Sequence, residues 1–323
     1  MCRRNLQVVV KFIYPQRCSL TLIHLHPNTI NIKRRDRRKK MLYTPTPDSL
    51  YHPPSTHIDP LGYGKVAIVT GCASGIGLAV TQLLLSHQFS VCGLDISEFD
   101  YNLLRVEDHG RFHFHRGDLT QPGVPEDGVR IARQSFGGRI DVLINVAGIL
   151  DNFSSADAVT DQIWSKVLAT NLTVPVMMMR SVLPCMKERK DGVIVNVAST
   201  AATSGAVAGI AYTASKHGLL GATKNVAWRF RNEGIRCNAV LPGAIDSSIG
   251  KRIASGHTND LLWLDPEAYA QVEPVHALQA QPSEATPTIT ALEVAKTILF
   301  LVSDQARTIN GVSLPVDKAW GVV

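Results

Sequence analysis

The stretch that decides the fold is "KVAIVTGCASGIGLAV", residues 65–80. A short run of small and β-branched apolar residues ends at Thr70. Three glycines, Gly71, Gly75 and Gly77, follow it, and an apolar segment of helical period begins at once. Continuous apolar runs of this length read as strands covered on both faces. Glycine lets the chain turn sharply and brings its backbone close to a diphosphate. The free N–H groups and positive end of the next helix then face that anion. Turns between strand and helix favour glycine anyway, so the strand–turn–helix context is what carries the reading. It predicts a dinucleotide cradle at Gly71, Ser74, Gly75, Ile76 and Gly77.

The same alternation runs on. Strand-like segments recur at "SVCGLD" (90–95), "RFHFH" (111–115), "RIDVLIN" (139–145), "GVIVNVAS" (192–199), "IRCNAVLPG" (235–243) and "GVSLPV" (311–316). Between them lie helical segments, including a long one over about 158–189, one beginning near Tyr212 and one over 290–304. This predicts an α/β fold: one doubly wound domain over 61–323, with about seven parallel strands and helices on both faces.

Composition agrees, at 45% apolar and 19% charged residues, enough for a large buried core. The longest apolar stretch, "TVPVMMMRSVLPCM", is interrupted by Arg180 and Pro184, so no membrane span is expected. The net charge of +6 conceals an asymmetry: residues 1–40 carry +10, leaving −4 for the remaining 283. Residues 1–60 are therefore set apart as a basic, Pro-rich extension, expected to be poorly ordered. Its basic part reads as a mitochondrial presequence, a nucleic-acid or membrane contact, a disordered tail, or a segment upstream of a start at Met41. The slightly acidic body argues against nucleic acid as a partner. Six scattered cysteines show no metal-ligand spacing, so no metal is expected. Sparse thiols and the lack of an apolar signal segment point to the cytoplasm, with mitochondrial targeting as the alternative.

Asp95 closes the second strand run, 24 residues after Gly71. An acid there accepts both ribose hydroxyls of NAD and repels a 2′-phosphate. No Arg or Lys occurs from Gly71 to Gly77 or from Asp95 to Leu104, which favours NAD, with NADP the alternative. Asp118 and Leu119 in "GDLT" end the third strand, where Asp118 could hold the adenine amino group.

Taken in order, these motifs resemble the short-chain dehydrogenase/reductase family, in the subgroup with three residues between the first two motif glycines. The likeness spans Lys65 to Asp317 and implies a Rossmann fold. "NVAG" matches the family's NNAG and supplies Asn145, Ala147 and Gly148 to the cofactor, with Val146 in place of the second Asn. "TNLTVP" supplies Asn171, "VIVNVAS" Ser199 and "YTASK" Tyr212 and Lys216; Tyr212 follows Ser199 by 13 residues and precedes Lys216 by four. "LPGAIDS" puts Pro242, Gly243, Ile245 and Ser247 beside the nicotinamide, Ser247 standing where the family usually has Thr. "VDKAWG" replaces the family's VDGG with Lys318 and Ala319, which puts the local turn and subunit packing in question. "AYTASKH", "KNVAWRF" and "GIRCNAVLPG" are most similar to dehydrogenases of filamentous-fungal secondary metabolism.

The chemistry expected of these residues is hydride transfer coupled to proton transfer. A free tyrosine, with a pKa of about 10, is a poor base near neutrality. Lys216 lies one turn along on the same helix face, and its ammonium, with a positive nicotinamide, would favour the phenolate. Ser199 would orient the substrate oxygen. The resemblance alone implies that Lys216 binds the nicotinamide ribose, that Tyr212 also touches the cofactor, and that Asn171 holds a relay water. The expectation is an NAD(P)-dependent oxidoreductase interconverting a secondary alcohol and a ketone, or a primary alcohol and an aldehyde. A non-catalytic relative would be expected to have lost Tyr or Lys, and epimerases or dehydratases usually have shorter glycine spacing. Residues 246–290 exceed a simple crossover and predict a substrate lid, apolar through Leu261, Leu262, Trp263, Leu264 and Tyr269. A homodimer or homotetramer is implied by the family.

Overall fold

The computed structural model describes residues 61–245, 264–278 and 289–322, together with the backbone of two short strands near the N-terminus. The chain divides into two units, Met1–Ile58 and Asp59–Val323. In the first unit β1 (His24–His26) pairs antiparallel with β2 (Thr29–Asn31). The rest of the predicted basic extension lies outside the described residues, as do Ser247 and the lid residues 246–263 and 279–288.

The second unit is built on seven parallel strands: β3 (Val66–Thr70), β4 (Ser90–Asp95), β5 (Phe112–Arg116), β6 (Val142–Asn145), β7 (Gly192–Val197), β8 (Ile235–Pro242) and β9 (Ser313–Val316). Their order across the sheet is β5-β4-β3-β6-β7-β8-β9. Chain order therefore reverses between β3 and β6, the place where a doubly wound sheet opens a crevice at the carboxyl ends of its strands. Every strand-like run named above forms a strand here.

Both faces of the sheet are covered. On one, α1 (Gly75–Ser86) and α7 (Ala291–Val302) bury Val80, Leu84, Leu85, Val294, Ile298 and Leu301 against Ala67, Val69 and Val240. On the other, α2 (Val124–Ser135), α4 (Val174–Arg189) and α5 (Ile210–Phe230) pack Val129, Met178, Met186 and Val226 against Ile68, Leu143 and Ile194. Each fully buried side chain of this kind contributes about 1.5–3 kcal/mol. Asp141, just before β6, ties three elements together. It accepts a hydrogen bond from Val66 N at 2.8 Å and meets both Arg139 and Arg189.

The interruption expected at Arg180 and Pro184 does not occur. Asp161–Arg189 is a continuous 29-residue helical run, long and apolar enough by composition to cross a membrane. It comprises α3 (Asp161–Leu168), a π-helical turn over Ala169–Thr173, and α4. Arg180 does not interrupt it, because it points outward to Glu126, and Pro184 is carried inside the helix. The apolar face of α4 is occupied by the sheet through Val174, Met178, Val182 and Met186.

Candidate active site

The strand ends open into one cavity of about 800 Å³. On its dinucleotide side the glycine turn behaves as its residue types require. Gly71 has φ +70°, and a Cβ there would meet the Ala147 backbone at 2.9 Å. A Cβ on Gly77 would lie 1.9 Å from Gly71 O. The cavity is lined here by Gly71, Ser74, Gly75, Ile76 and Gly77, where α1 begins. These missing side chains and the helix start fit a diphosphate.

Asp95 reaches back under the turn: its Oδ2 accepts from Ala73 N and its Oδ1 from Ser97 N, both at 2.9 Å. A carboxylate has about four lone-pair sites, so acceptor capacity remains for ribose hydroxyls. Asp118 and Leu119 line the adjoining wall. Burial raises the Asp118 carboxyl, but hydrogen bonds from Thr120 and Gln121 outweigh it and hold the group below its ordinary range. Lys166 also lines this wall, a cation the sequence reading did not place here.

At the switch point Thr70 Oγ1 accepts from both Val146 N (3.0 Å) and Ala147 N (3.1 Å), fixing the exit from β6. Ala147 and Gly148 line the cavity. Asn145 does not: it is buried and donates to Asn196 Oδ1 at 2.8 Å, bridging β6 to β7. Pro242, Gly243 and Ile245 line the far side, where β8 ends.

Ser199, Tyr212 and Lys216 come together in the same cavity. Ser199 follows β7, and its Oγ accepts from Ala201 N at 3.1 Å. Tyr212 and Lys216 lie in the first two turns of α5, as their spacing predicts. Lys216 Nζ donates to Val197 O at 2.9 Å and sits 5.4 Å from the centre of the Tyr212 ring. Burial pushes the Tyr212 phenol up to about 12, against an opposing hydrogen bond with Ser199; the charge of Asp151 pushes it further up. Burial pulls Lys216 down to about 8. The sequence leads one to expect the ammonium and a positive nicotinamide together to lower the phenol. In the chain alone desolvation wins, and Lys216 directs its bond to a backbone carbonyl.

Asn171 sits in the π-helical turn, fully buried and outside the cavity lining. Its Oδ1 accepts from Ile149 N (2.9 Å), and its Nδ2 donates to Ile149 O (2.8 Å) and Ser215 Oγ (3.2 Å). A side chain at Gly148 would come within 3.2 Å of Asn171 Oδ1 and 3.6 Å of Lys216 Nζ, so Gly148 keeps the gap between them open. Among the described residues no His, Cys, Asp and Glu group of metal-binding size gathers.

Sequence reasoning missed Asp151. It is 2% exposed, and its carboxylate accepts from Tyr212 N (2.8 Å), Gly209 N (3.1 Å) and Phe153 N (3.2 Å). It thus caps α5 from a different loop, 61 residues from Tyr212, and no local motif announces such a contact.

The family model described as short chain dehydrogenase matches residues 65–258. Short-chain dehydrogenase/reductase cdmF of Talaromyces verruculosus is 49% identical over 80% of this chain and 97% of its own. Short chain dehydrogenase adrF of Penicillium roqueforti is 45% identical, and asnovolin H dehydrogenase nvfC of Aspergillus novofumigatus 46%, with the same coverage. Among solved structures, levodione reductase superposes with a TM-score of 0.68 at 26% identity, covering 81% of this chain and 99% of that one. The cradle, the reversed strand order and matches over most of the chain agree on one conclusion: this protein belongs to the short chain dehydrogenase family, whose members are NAD(P)-dependent oxidoreductases.

Proposed function

We propose that the chain interconverts a secondary alcohol and a ketone on a mid-sized hydrophobic metabolite, using NAD in preference to NADP. The observation that carries this reading is the convergence of Ser199, Tyr212 and Lys216 in one cavity with the glycine turn and Asp95. The bound dinucleotide supplies or accepts the hydride. Tyr212 moves the proton at the substrate oxygen, and Ser199, bonded to the phenol, holds that oxygen in line. Lys216 keeps a positive charge beside the phenol and stabilises phenolate as it forms. Asn171 pins Ile149 and the π-helical turn behind Lys216, which keeps the space beside Gly148 open for a relay water. The names of two similar proteins, a dehydrogenase and a reductase, support chemistry in both directions. Residues 246–290 act as the lid, and the two long helices α4 and α5 serve as the face between copies in a homo-oligomer.

The test is dinucleotide turnover across a panel of secondary alcohols and ketones with NAD and NADP in parallel. Absence of hydride transfer across the panel by a chain that binds NADH tightly would sink the reading. Cofactor choice has its own expected outcome. Asp95→Ala should lower kcat/KM for NAD on the order of 10- to 100-fold, the scale of hydrogen bonds to a charged group at about 1.5–3 kcal/mol. The value for NADP should rise as repulsion is removed. Asp95→Asn, which keeps an acceptor for Ala73 N, separates loss of charge from loss of the turn.

A further inference from the structure

The cavity that holds the glycine turn is also lined by four rings drawn from three segments. Phe153 comes from the loop after β6. Tyr269 and His276 come from α6 (Pro266–Ala277), and Trp320 comes from the C-terminal turn. Phe153 meets Tyr269 edge-on with centroids 5.1 Å apart, Tyr269 lies 5.7 Å from His276, and His276 lies 5.4 Å from Trp320. Trp320 is 8% exposed and packs in one cluster with Val207, Ala208 and Tyr212.

Two polar atoms of this wall are bonded to the backbone. Trp320 Nε1 donates to Val275 O at 3.0 Å, and His276 Nε2 lies 2.9 Å from Val207 O, which makes it the protonated nitrogen. These bonds fix both rings in orientation, and Trp320, its one polar ring atom engaged, offers the cavity an apolar face. The backbone is held in unusual conformations to place the rings. Phe153 has φ +71°, and Lys318 and Ala319, at the positions where the family usually has glycines, have φ +51° and +69°. Left-handed conformations at non-glycine residues persist where the surroundings over-determine them, and they gather at ligand clamps. The determinant here is Asp317, whose carboxylate accepts from Ala319 N (3.1 Å) and Gly321 N (2.8 Å), clamping the turn that presents Trp320.

We propose that Trp320 is the specificity-determining residue of the substrate end, closing an aromatic box that selects a rigid, cyclic, apolar ketone or alcohol over an open chain of similar carbon count. The inference rests on the reading of this cavity as the oxidoreductase site. Preformed flat walls favour a ring system, because a flexible chain loses rotor freedom when confined between them.

The test is calorimetric binding to the NADH complex of the full chain, with trans-1-decalone and 2-decanone as probes of equal carbon number. Wild type is expected to bind the decalone at least tenfold more tightly. Trp320→Ala should abolish that preference, and Trp320→Phe should keep most of it, with NADH affinity unchanged in both. Phe153→Leu, which removes the ring at the other end of this row, should reduce the preference and serves if Trp320→Ala does not fold. Equal affinity for the two ketones in wild type, or an undiminished preference in Trp320→Ala, overturns the proposal. Tight, selective decalone binding without hydride transfer counts against the proposed activity and leaves the aromatic box standing.

Discussion

Tyr212→Phe is expected to lower hydride transfer on the order of 10²- to 10⁴-fold, the range of a lost general acid–base, without weakening NADH binding. The substitution removes one oxygen from a ring packed against a cluster that includes Val207 and Trp320, so the α5 backbone should be undisturbed. Stopped-flow absorbance of NADH separates the two readouts; undiminished transfer would remove Tyr212 from the mechanism. The wild-type pH dependence should be asymmetric. With the phenol held up to about 12, Tyr212 is a protonated donor throughout the neutral range, so ketone reduction starts with its acid in place. Reduction is then expected to fall as pH rises past about 8, where Lys216 loses its charge. Alcohol oxidation needs the phenolate and should increase with pH before that loss intervenes. A reduction rate that instead rises steadily above that pH would contradict the role of Lys216.

The sheet was legible because its inner strands are buried on both faces and so read as unbroken apolar runs such as "VAIVT" and "VLIN". Helix α2 was not, since Gly123, Pro125 and Gly128 make its sequence resemble a turn. Gly123 has φ +87° and starts the helix, and the interior Gly128 leaves room for the Leu94 methyl groups, which a Cβ there would crowd. Helix α6 was hidden in the same way by Pro266 and Pro274. In the site, the glycine turn and Asp95 were readable from their places at a strand end and helix start, while Ser199, Tyr212 and Lys216 were legible through the resemblance of their motifs to the family's. The aromatic wall was readable only at Tyr269. Phe153, His276 and Trp320 belong to separate segments that only the tertiary fold brings together. The replacement of glycine by Lys318 and Ala319 looked like a threat to the local turn, yet the turn survives because Asp317 supplies acceptors on both sides.

Asp151→Ala is expected to be damaging in a second way, by releasing the catalytic helix while leaving every cavity-lining side chain in place. The change strips acceptors from Tyr212 N, Gly209 N and Phe153 N at the buried start of α5. Unsatisfied buried donors and a lost cap together should cost about 2–4 kcal/mol of stability, read as a lower urea midpoint. Turnover should fall with it, because the same bonds fix the main chain of Tyr212. The pH dependence identifies the carboxylate as the cause. Burial raises the Asp151 carboxyl above its ordinary value despite the N–H groups that pull it down. A group with a raised folded pKa gives its full stabilisation below the unfolded pKa and loses it as pH rises through the folded value. The stability advantage of wild type over Asp151→Asn should therefore shrink as the medium is brought from the acidic carboxylate range to neutrality. Asparagine can accept on one side only, so its amide nitrogen must face an N–H group that the carboxylate satisfied. The charge also raises the Tyr212 phenol, so Asp151→Asn should move the rise of alcohol oxidation to lower pH. A purely structural cap would lower turnover in Asp151→Asn and leave that profile where it was; a shift ties this buried carboxylate to the acidity of the residue it positions.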